Sequence, residues 1–414
     1  MTKAGPNTEN TVTASDGRMY SNGHIFGTAE EEGKSVTIGY SSGAKVWSQG
    51  YYRLPEFIKW CAALGKKINS KKVVKTNSGF DNIPIGNVVD QLPTGVIPYC
   101  AIPNDIVYSS VPRLTVHEED EVLSSSYFTD WDIIIIGEEC TNEIIYFELR
   151  NSDTVIPMIF SFKDHYSIAM GYDDAVLVEF PESGSFELVE FLNFYPLTFY
   201  LTDFSTLRGN NELLSSGFKG SLEFDSSLIK PIDWVKYNCD ITNEFLDSKS
   251  DSKVSIHTAL EQILGQRKPE VLIYDHGTGE TADFILMEES TNEIMIELYH
   301  VKGAGSDKIG DRVGDVYEVC GQAIKCLIWT RSKDTILSKL RMRTKAKPEK
   351  YIFGDFEAMN GILDKKKALK FKIIIVQPGI SQSSISNKLG TLLAATDDYL
   401  RRNGNLESLV IFGS

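Results

Sequence analysis

Residues 281–305, TADFILMEESTNEIMIELYHVKGAG, decide how this chain is read. Two apolar runs flank Thr291-Asn292, and a two-residue turn there predicts a hairpin that pairs Ser290 with Glu293. Counting outward sets Asp283 opposite His300, and strand alternation puts Lys302 on the same face, one step further out. A longer loop on the same centre keeps this register, whereas an odd loop would break it. Ile285, Met287, Ile296 and Leu298 continue that face inward as an apolar surface, while Glu297 and Tyr299 fall on the other side. Asp283, His300 and Lys302 therefore stand at the rim of a buried surface, where an unpaired charge is costly unless it meets a metal or a partner group.

Phosphodiester cleavage needs a divalent ion on hard oxygen ligands, which lowers the pKa of a bound water and offsets charge in the transition state. Asp283 suits the ligand role. Lys302 suits the role of orienting the attacking water or stabilising the developing charge. The same spacing also fits a structural Asp-Lys ion pair at a sheet edge.

Around the hairpin the pattern is α/β. A helix is expected in SIHTALEQILG, a strand in EVLIYD, a helix in DRVGDVYEVCGQAIKCLIW and beyond, a strand in KFKIIIVQ, a helix in SISNKLGTLLAATDDYLRRNG and a strand in SLVIF. Before it, from the acidic HEEDE at 117–121, short β-rich runs dominate: WDIIIIGEE, EIIYFELR, VIPMIFSF, YSIAMGY, AVLVEF and LTFYLTDF. The first part is mixed, with strand-like SVTIGYSS and KVWSQGYY and a helical pattern of Leu54, Phe57, Ile58, Cys61 and Leu64 in LPEFIKWCAALGKKI. The expected organisation is a mixed α/β region over 1–115, a β-rich region over 116–245 and an α/β region over 246–414, with the polar stretch 238–254 between the last two.

The 414 residues allow two or three domains, and 42% hydrophobic with 24% charged residues excludes a chain disordered as a whole. No apolar run reaches the roughly 18 residues of a membrane span, and the first 23 residues hold no apolar core of a signal peptide, so a cytoplasmic protein without membrane association is expected. Six scattered cysteines, Cys61, Cys100, Cys140, Cys239, Cys320 and Cys326, form no CxxC pair and are expected to be reduced and buried. The net charge of −15 is unevenly spread: residues 249–414 hold 24 Lys and Arg against 22 Asp and Glu, leaving 18 against 35 for the rest. Residues 331–372 alone carry thirteen basic and five acidic side chains. That stripe is either a phosphate-facing surface, with Arg341, Arg343 and Lys345 as substrate contacts, or a solvated helix face.

Familiar motifs fail on chemistry. GTAEEEGKS at 27–35 puts five residues between its glycines where a P-loop needs four, and its three glutamates would repel phosphates. GAGSDKIG at 303–310 departs from GxGxxG, GxSxG is absent, and the six histidines make no HExxH.

In order, helix SIHTALEQIL, strand EVLIYDHGTGETADFI, strand IELYHVK and helix DRVGDVYEVCGQA resemble the PD-(D/E)xK nuclease superfamily. More narrowly, they resemble the nuclease-like C-terminal region of certain bacterial superfamily-2 (DEAD/DEAH-type) helicases. LPEFIKWCAALGKKI, residues 191–210 and IIIVQPGIS resemble other segments of those helicase tails, with no helicase motor present. The resemblance implies a restriction-endonuclease-like α/β (α+β) domain at the C-terminal end, behind a mixed, β-rich N-terminal half. It implies a magnesium- or manganese-dependent deoxyribonuclease or endonuclease, used in defence against foreign or viral DNA. Asp283, His300, Glu280 and the Val301 backbone carbonyl would then hold the ion, and Lys302 would be the catalytic lysine.

His300 stands where the superfamily has Asp or Glu, and imidazole prefers softer ions than magnesium. Glu280 is the candidate for the missing carboxylate, and Glu318 with Gln322, four apart on one helix face, for support or substrate contact; Glu261 is a weaker candidate. The alternative is a catalytically silent nuclease fold that docks nucleic acid or a partner protein. A further alternative is a subunit that works only with a separately encoded helicase or other motor. DNA is the expected substrate, with RNA and homo-oligomerisation left open.

Overall fold

The structure, a computed structural model, describes residues 24–31, 34–41, 46–48, 52–68, 86–118, 121–152, 154–181, 184–209, 211–214, 224–245, 253–305, 313–383, 385–404 and 406–414. The chain start and parts of GTAEEEGKS, GAGSDKIG and the 238–254 stretch lie outside these residues. It is a mixed α/β protein with several sheets, which divides into two compact units, 1–88 with 212–219 and 89–211 with 220–414.

In the first unit, strands His24–Glu31, Lys34–Ser41 and Val46–Ser48 form an antiparallel sheet, and Leu54–Ile68 is a helix. The Arg53 N–H donates to Glu56 Oε2 at 2.9 Å, which ties the start of that helix. Leu54, Phe57 and Ile58 are exposed, and so is Cys61 on the same helix. The expectation of six buried thiols is corrected here: Cys61 is exposed, on the same helix as the exposed Leu54, Phe57 and Ile58, and Cys140 is half-buried in a turn, its Sγ directed at the Ile136 and Tyr146 carbonyls.

The second unit is organised by a seven-stranded sheet. Its elements, in chain order, are β1 (Ile229–Pro231), α1 (Ile256–Gly265), β2 (Val271–Tyr274), β3 (Phe284–Glu289), β4 (Glu293–Val301), α2 (Val313–Cys326), α3 (Lys333–Thr344), β5 (Tyr351–Phe353), α4 (Phe356–Leu363), β6 (Ala368–Val376), α5 (Asn387–Gly404) and β7 (Val410–Gly413). The strand order is β1-β7-β6-β4-β3-β2-β5. β2, β3 and β4 form an antiparallel meander, and β4, β6, β7 and β1 run parallel. The expected helix from 311 onward is two helices, α2 and α3, separated by a 3-10 turn at Leu327–Thr330.

Both faces of the sheet are covered, so β4 and β6 read as nearly continuous apolar runs. On one face Ile285, Met287, Ile296, Leu298, Ile373 and Ile375 pack with Val319 and Ala323 of α2, Ile336 and Leu340 of α3 and Leu392 of α5. On the other, Phe284, Leu286, Tyr299 and Val301 pack with Ile256, Ala259, Leu260 and Leu264 of α1. At ~25 cal/mol per Å² of apolar surface, each such fully buried aliphatic side chain contributes about 1.5–3 kcal/mol, which makes this core the main stabiliser of the unit.

The β-rich segment belongs to the same unit. It forms one four-stranded sheet from 132–135, 144–150, 155–161 and 165–168 and another from 113–118, 121–127, 175–180 and 184–187. The expected boundaries at 115/116 and 245/246 both fall inside the second unit, the first within strand Arg113–Glu118. Contacts across them include Lys325 Nζ to the Ile133 carbonyl at 2.9 Å, Tyr317 Oη to the Thr202 carbonyl at 2.9 Å, and Lys339 Nζ to Asp130 Oδ1 at 2.9 Å.

Candidate active site

The hairpin has the register counted from the sequence. Phe284 pairs with Tyr299 and Glu289 with Ile294, and the Ser290 N–H donates to the Glu293 carbonyl at 2.9 Å across the turn. Continuing the ladder one residue sets Asp283 beside His300.

Residues 275–283 join β2 to β3, and this loop is pinned at its start by Asp275. That carboxylate is fully buried and has Arg343 Nε 2.7 Å from each oxygen, Lys350 Nζ on Oδ1 and the Thr281 N–H on Oδ2 at 3.1 Å. Arg343 also donates to the carbonyls of Thr278 and Asp275. In mid-loop Gly279 has φ +68° and lies against the backbone of Asp130, so that a Cβ there would come within 2.6 Å of it. Glycine is required by both geometry and space. At the far end the Asp275 N–H donates to the Asp283 carbonyl at 2.9 Å, which closes the loop.

Asp283 is 1% exposed. Its Oδ2 accepts from the Val301 N–H at 2.8 Å, and its Oδ1 faces His276 Nδ1 at 2.7 Å and His257 Nε2 at 3.6 Å. His257 reaches this corner because Ser255 caps α1, its Oγ accepting from the Thr258 N–H, which places His257 in the first turn. His257 Nδ1 lies 3.0 Å from Tyr274 Oη, and the rings of Phe245, Tyr274 and Phe284 surround it.

The charges follow from burial and neighbours. Burial pushes Asp283 upward, but the His276 hydrogen bond and the Val301 N–H outweigh it and hold the carboxyl below its ordinary value. Burial opposes a charge on His276, yet the bond to Asp283 and the nearby Glu280 raise it to about 10. Glu280, half-buried and near the Asp283 charge, is raised by desolvation and by that charge to about 8 although the Gly277 N–H donates to it at 2.8 Å. His257 and His300 are depressed by burial to about 4, so both are neutral imidazoles near pH 7. His257 Nε2 and both ring nitrogens of His300 are buried without a hydrogen-bond partner, a state that costs about 1–3 kcal/mol for each such group.

Lys302, one step beyond, is held by carboxylates other than Asp283. Its Nζ lies 2.7 Å from Glu318 Oε1 on α2 and 3.4 Å from Glu244 Oε2. Burial works against its charge, and the two glutamates raise it above its ordinary value. Glu244, itself raised by burial, also accepts from the Gly303 N–H at 3.3 Å. Gln322, one turn after Glu318, has a buried Oε1 with no partner, and Glu261 is exposed on α1.

Among the described residues, one group of three or more His, Cys, Asp or Glu brings its donor atoms together: His257, His276 and Asp283, all within 4.8 Å of one another. His300, Val301 and Glu280, expected to hold an ion with Asp283, are not in that group. The basic stripe divides in two. Lys339 has a fully buried side chain paired with the half-buried Asp130, and Arg343 and Lys350 turn inward onto the buried Asp275, so these cations are internal counter-ions. Arg341 bonds Asn360 Oδ1 at 2.6 Å and lies 3.5 Å from Asp364, and Lys345 is exposed.

Sequence reasoning missed His257, His276 and Glu244. The first two lay within the stretches SIHTALEQIL and EVLIYDHGTGETADFI, and a polar aromatic beside a helix cap and another next to a glycine-rich turn were the available signals. Compared with protein-family models, with curated proteins and with solved structures, the chain finds no match.

Proposed function

We propose that this protein is a metal-dependent nuclease that hydrolyses phosphodiester bonds of DNA. The observation that carries the reading is the hairpin register: a buried, ionised Asp283 at the start of β3, His300 across from it, and Lys302 one step outward beside α2. The order α1, β2, β3, β4 and α2 also follows the helix, strands and helix on which the nuclease resemblance rests.

The donors present fit a divalent ion. Asp283 offers a carboxylate oxygen, and neutral imidazoles lie beside it with unpartnered nitrogens, while Glu280 stands outside that donor group, 3.4 Å from His276 Nδ1. A bound ion would lower the pKa of its water and offset phosphate charge. The chain's own residues do the rest. The Val301 N–H fixes the Asp283 carboxylate, and the Lys302 ammonium at the outer end of the sheet, paired with Glu318 and Glu244 until substrate arrives, can stabilise a phosphate oxygen or orient water. Exposed cations of the stripe, Lys345 among them, are available to the DNA backbone.

The test is cleavage of supercoiled plasmid and labelled single-stranded DNA with magnesium, manganese or EDTA. Cutting should require a metal and fall about 100-fold or more in Lys302→Met and Asp283→Ala. Wild-type protein that binds DNA but never cuts it, alone or with any ion, would overturn the reading in favour of a docking module or a subunit awaiting a motor.

A further inference from the structure

We infer that His257, His276 and Asp283 form a site for one first-row divalent transition ion, and that this ion, not magnesium, is the resident one. The inference deepens the hydrolytic reading by naming its ion, and it rests on that reading only for what the bound ion then does.

Three observations carry it. The first is convergence from separate elements: His257 from the first turn of α1, His276 from the β2–β3 loop and Asp283 from the start of β3. Two donors each about 2.1 Å from one ion lie about 3.0 Å apart when cis and about 4.2 Å apart when trans. Here Asp283 Oδ1 is 2.7 Å from His276 Nδ1 and 3.6 Å from His257 Nε2, and all three donors lie within 4.8 Å of one another, so the two rings must turn inward to share one ion.

The second is an unpartnered donor. His257 is 4% exposed, and its Nε2 has no hydrogen-bond partner while pointing at Asp283 Oδ1. Nothing in the apolar wall of Phe245, Tyr274 and Phe284 satisfies that nitrogen. A cation between it and the carboxylate would.

The third is the way the other ends of the ligands are tied. Tyr274 Oη engages His257 Nδ1 and the Val301 N–H engages Asp283 Oδ2, so that His257 Nε2 is unpartnered and Asp283 Oδ1 faces both imidazoles; a bound ion would replace the proton that His276 Nδ1 now shares with Oδ1. Second partners of this kind fix the tautomer and direction of metal ligands. Two imidazole nitrogens and one carboxylate oxygen suit manganese, iron, cobalt or zinc, whereas magnesium takes oxygen ligands and keeps several waters. Three protein ligands leave positions for water and a phosphate oxygen.

The experiment uses full-length protein stripped with EDTA and titrated with cobalt, zinc and magnesium, read by calorimetry and by the visible absorption of bound cobalt. One cobalt per chain is expected, with nitrogen- and oxygen-type bands and an affinity at least ~10-fold above that for magnesium. His276→Ala, in a partly exposed loop, and His257→Phe, which keeps the ring packing, should each weaken cobalt binding about 10-fold or more. Cys61→Ser, which removes the exposed thiol, should leave it unchanged.

No bound cobalt, magnesium bound as tightly as cobalt, or unchanged affinity in His276→Ala would each overturn the site; if His257→Phe does not fold by circular dichroism, His276→Ala decides. Cobalt bound and lost in the variants, with DNA never cut, would leave the site standing and end the hydrolytic reading. Magnesium-dependent cutting at the wild-type rate in His276→Ala, with no cobalt site, would do the reverse.

Discussion

Asp275 and Asp283 sit at the two ends of one loop, joined by a backbone hydrogen bond, and both are buried. Their surroundings differ in kind. Asp275 is neutralised by fixed cations, Arg343 and Lys350, and the Thr281 N–H uses a further lone pair. Asp283 is surrounded by imidazoles, of which His276 alone pairs with it closely, and Lys302, one step outward on the hairpin, is bound to other carboxylates. A guanidinium closes a site, because its charge and hydrogens cannot leave. An imidazole leaves a site able to exchange a proton for a metal ion. The contrast teaches that two buried acids on one loop can differ in kind: the counter-charge of one is fixed and that of the other is replaceable.

The largest expected effect separates the two acids by stability. Asp275→Asn strands Arg343 and Lys350, both mostly buried, and should cost about 3–5 kcal/mol in urea unfolding of the metal-free protein. Asp283→Asn keeps an acceptor for the Val301 N–H and releases His276 to partial solvent, so about 1 kcal/mol is expected. Equal losses would erase the distinction between a closed and an open corner.

A second measurement adds the ion. At 100 times its Kd, manganese should stabilise the wild type by about 2.7 kcal/mol and Asp283→Asn by almost nothing. Stabilisation that survives in Asp283→Asn would place the ion elsewhere.

How far these corners were legible in the sequence follows from the range of the signals. The hairpin register was readable because a short turn at Thr291-Asn292 fixes it locally, and a one-residue slip would have moved Ile285, Met287, Ile296 and Leu298 off the face that packs on α2 and α3. His257 and His276 were not readable, because what joins them to Asp283 is a helix cap, a loop closure and an edge-on contact between the two rings, with no fixed spacing. The basic stripe was misleading for the same reason. Counting charges cannot tell Lys345, which faces solvent, from Arg343 two residues earlier, which faces Asp275. Composition marked the change from β-rich to α/β structure, yet tertiary contacts such as Lys339 with Asp130 make one compact unit of both.

A third effect concerns Lys302. Glu244→Gln keeps an acceptor for the Gly303 N–H but removes one of the two charges holding the lysine. If Lys302 serves a phosphate, weakening its hold by about 1 kcal/mol should raise single-turnover cleavage about fivefold. A fall in rate would instead make Glu244 part of the productive arrangement.

The smallest effect is the sharpest check on the word open. Glu318 is half exposed, and its pair with Lys302 lies where water screens it, so Glu318→Gln should change stability by no more than about 0.5 kcal/mol in urea unfolding. Arg343 could not lose its carboxylate so cheaply, since Asp275 is fully buried and Arg343 is bound to it through both oxygens. A loss above about 1 kcal/mol on Glu318→Gln would therefore show that Lys302 is a structural counter-ion of the Arg343 kind, and the Asp283 corner would no longer differ from the Asp275 corner in having a cation free to meet substrate.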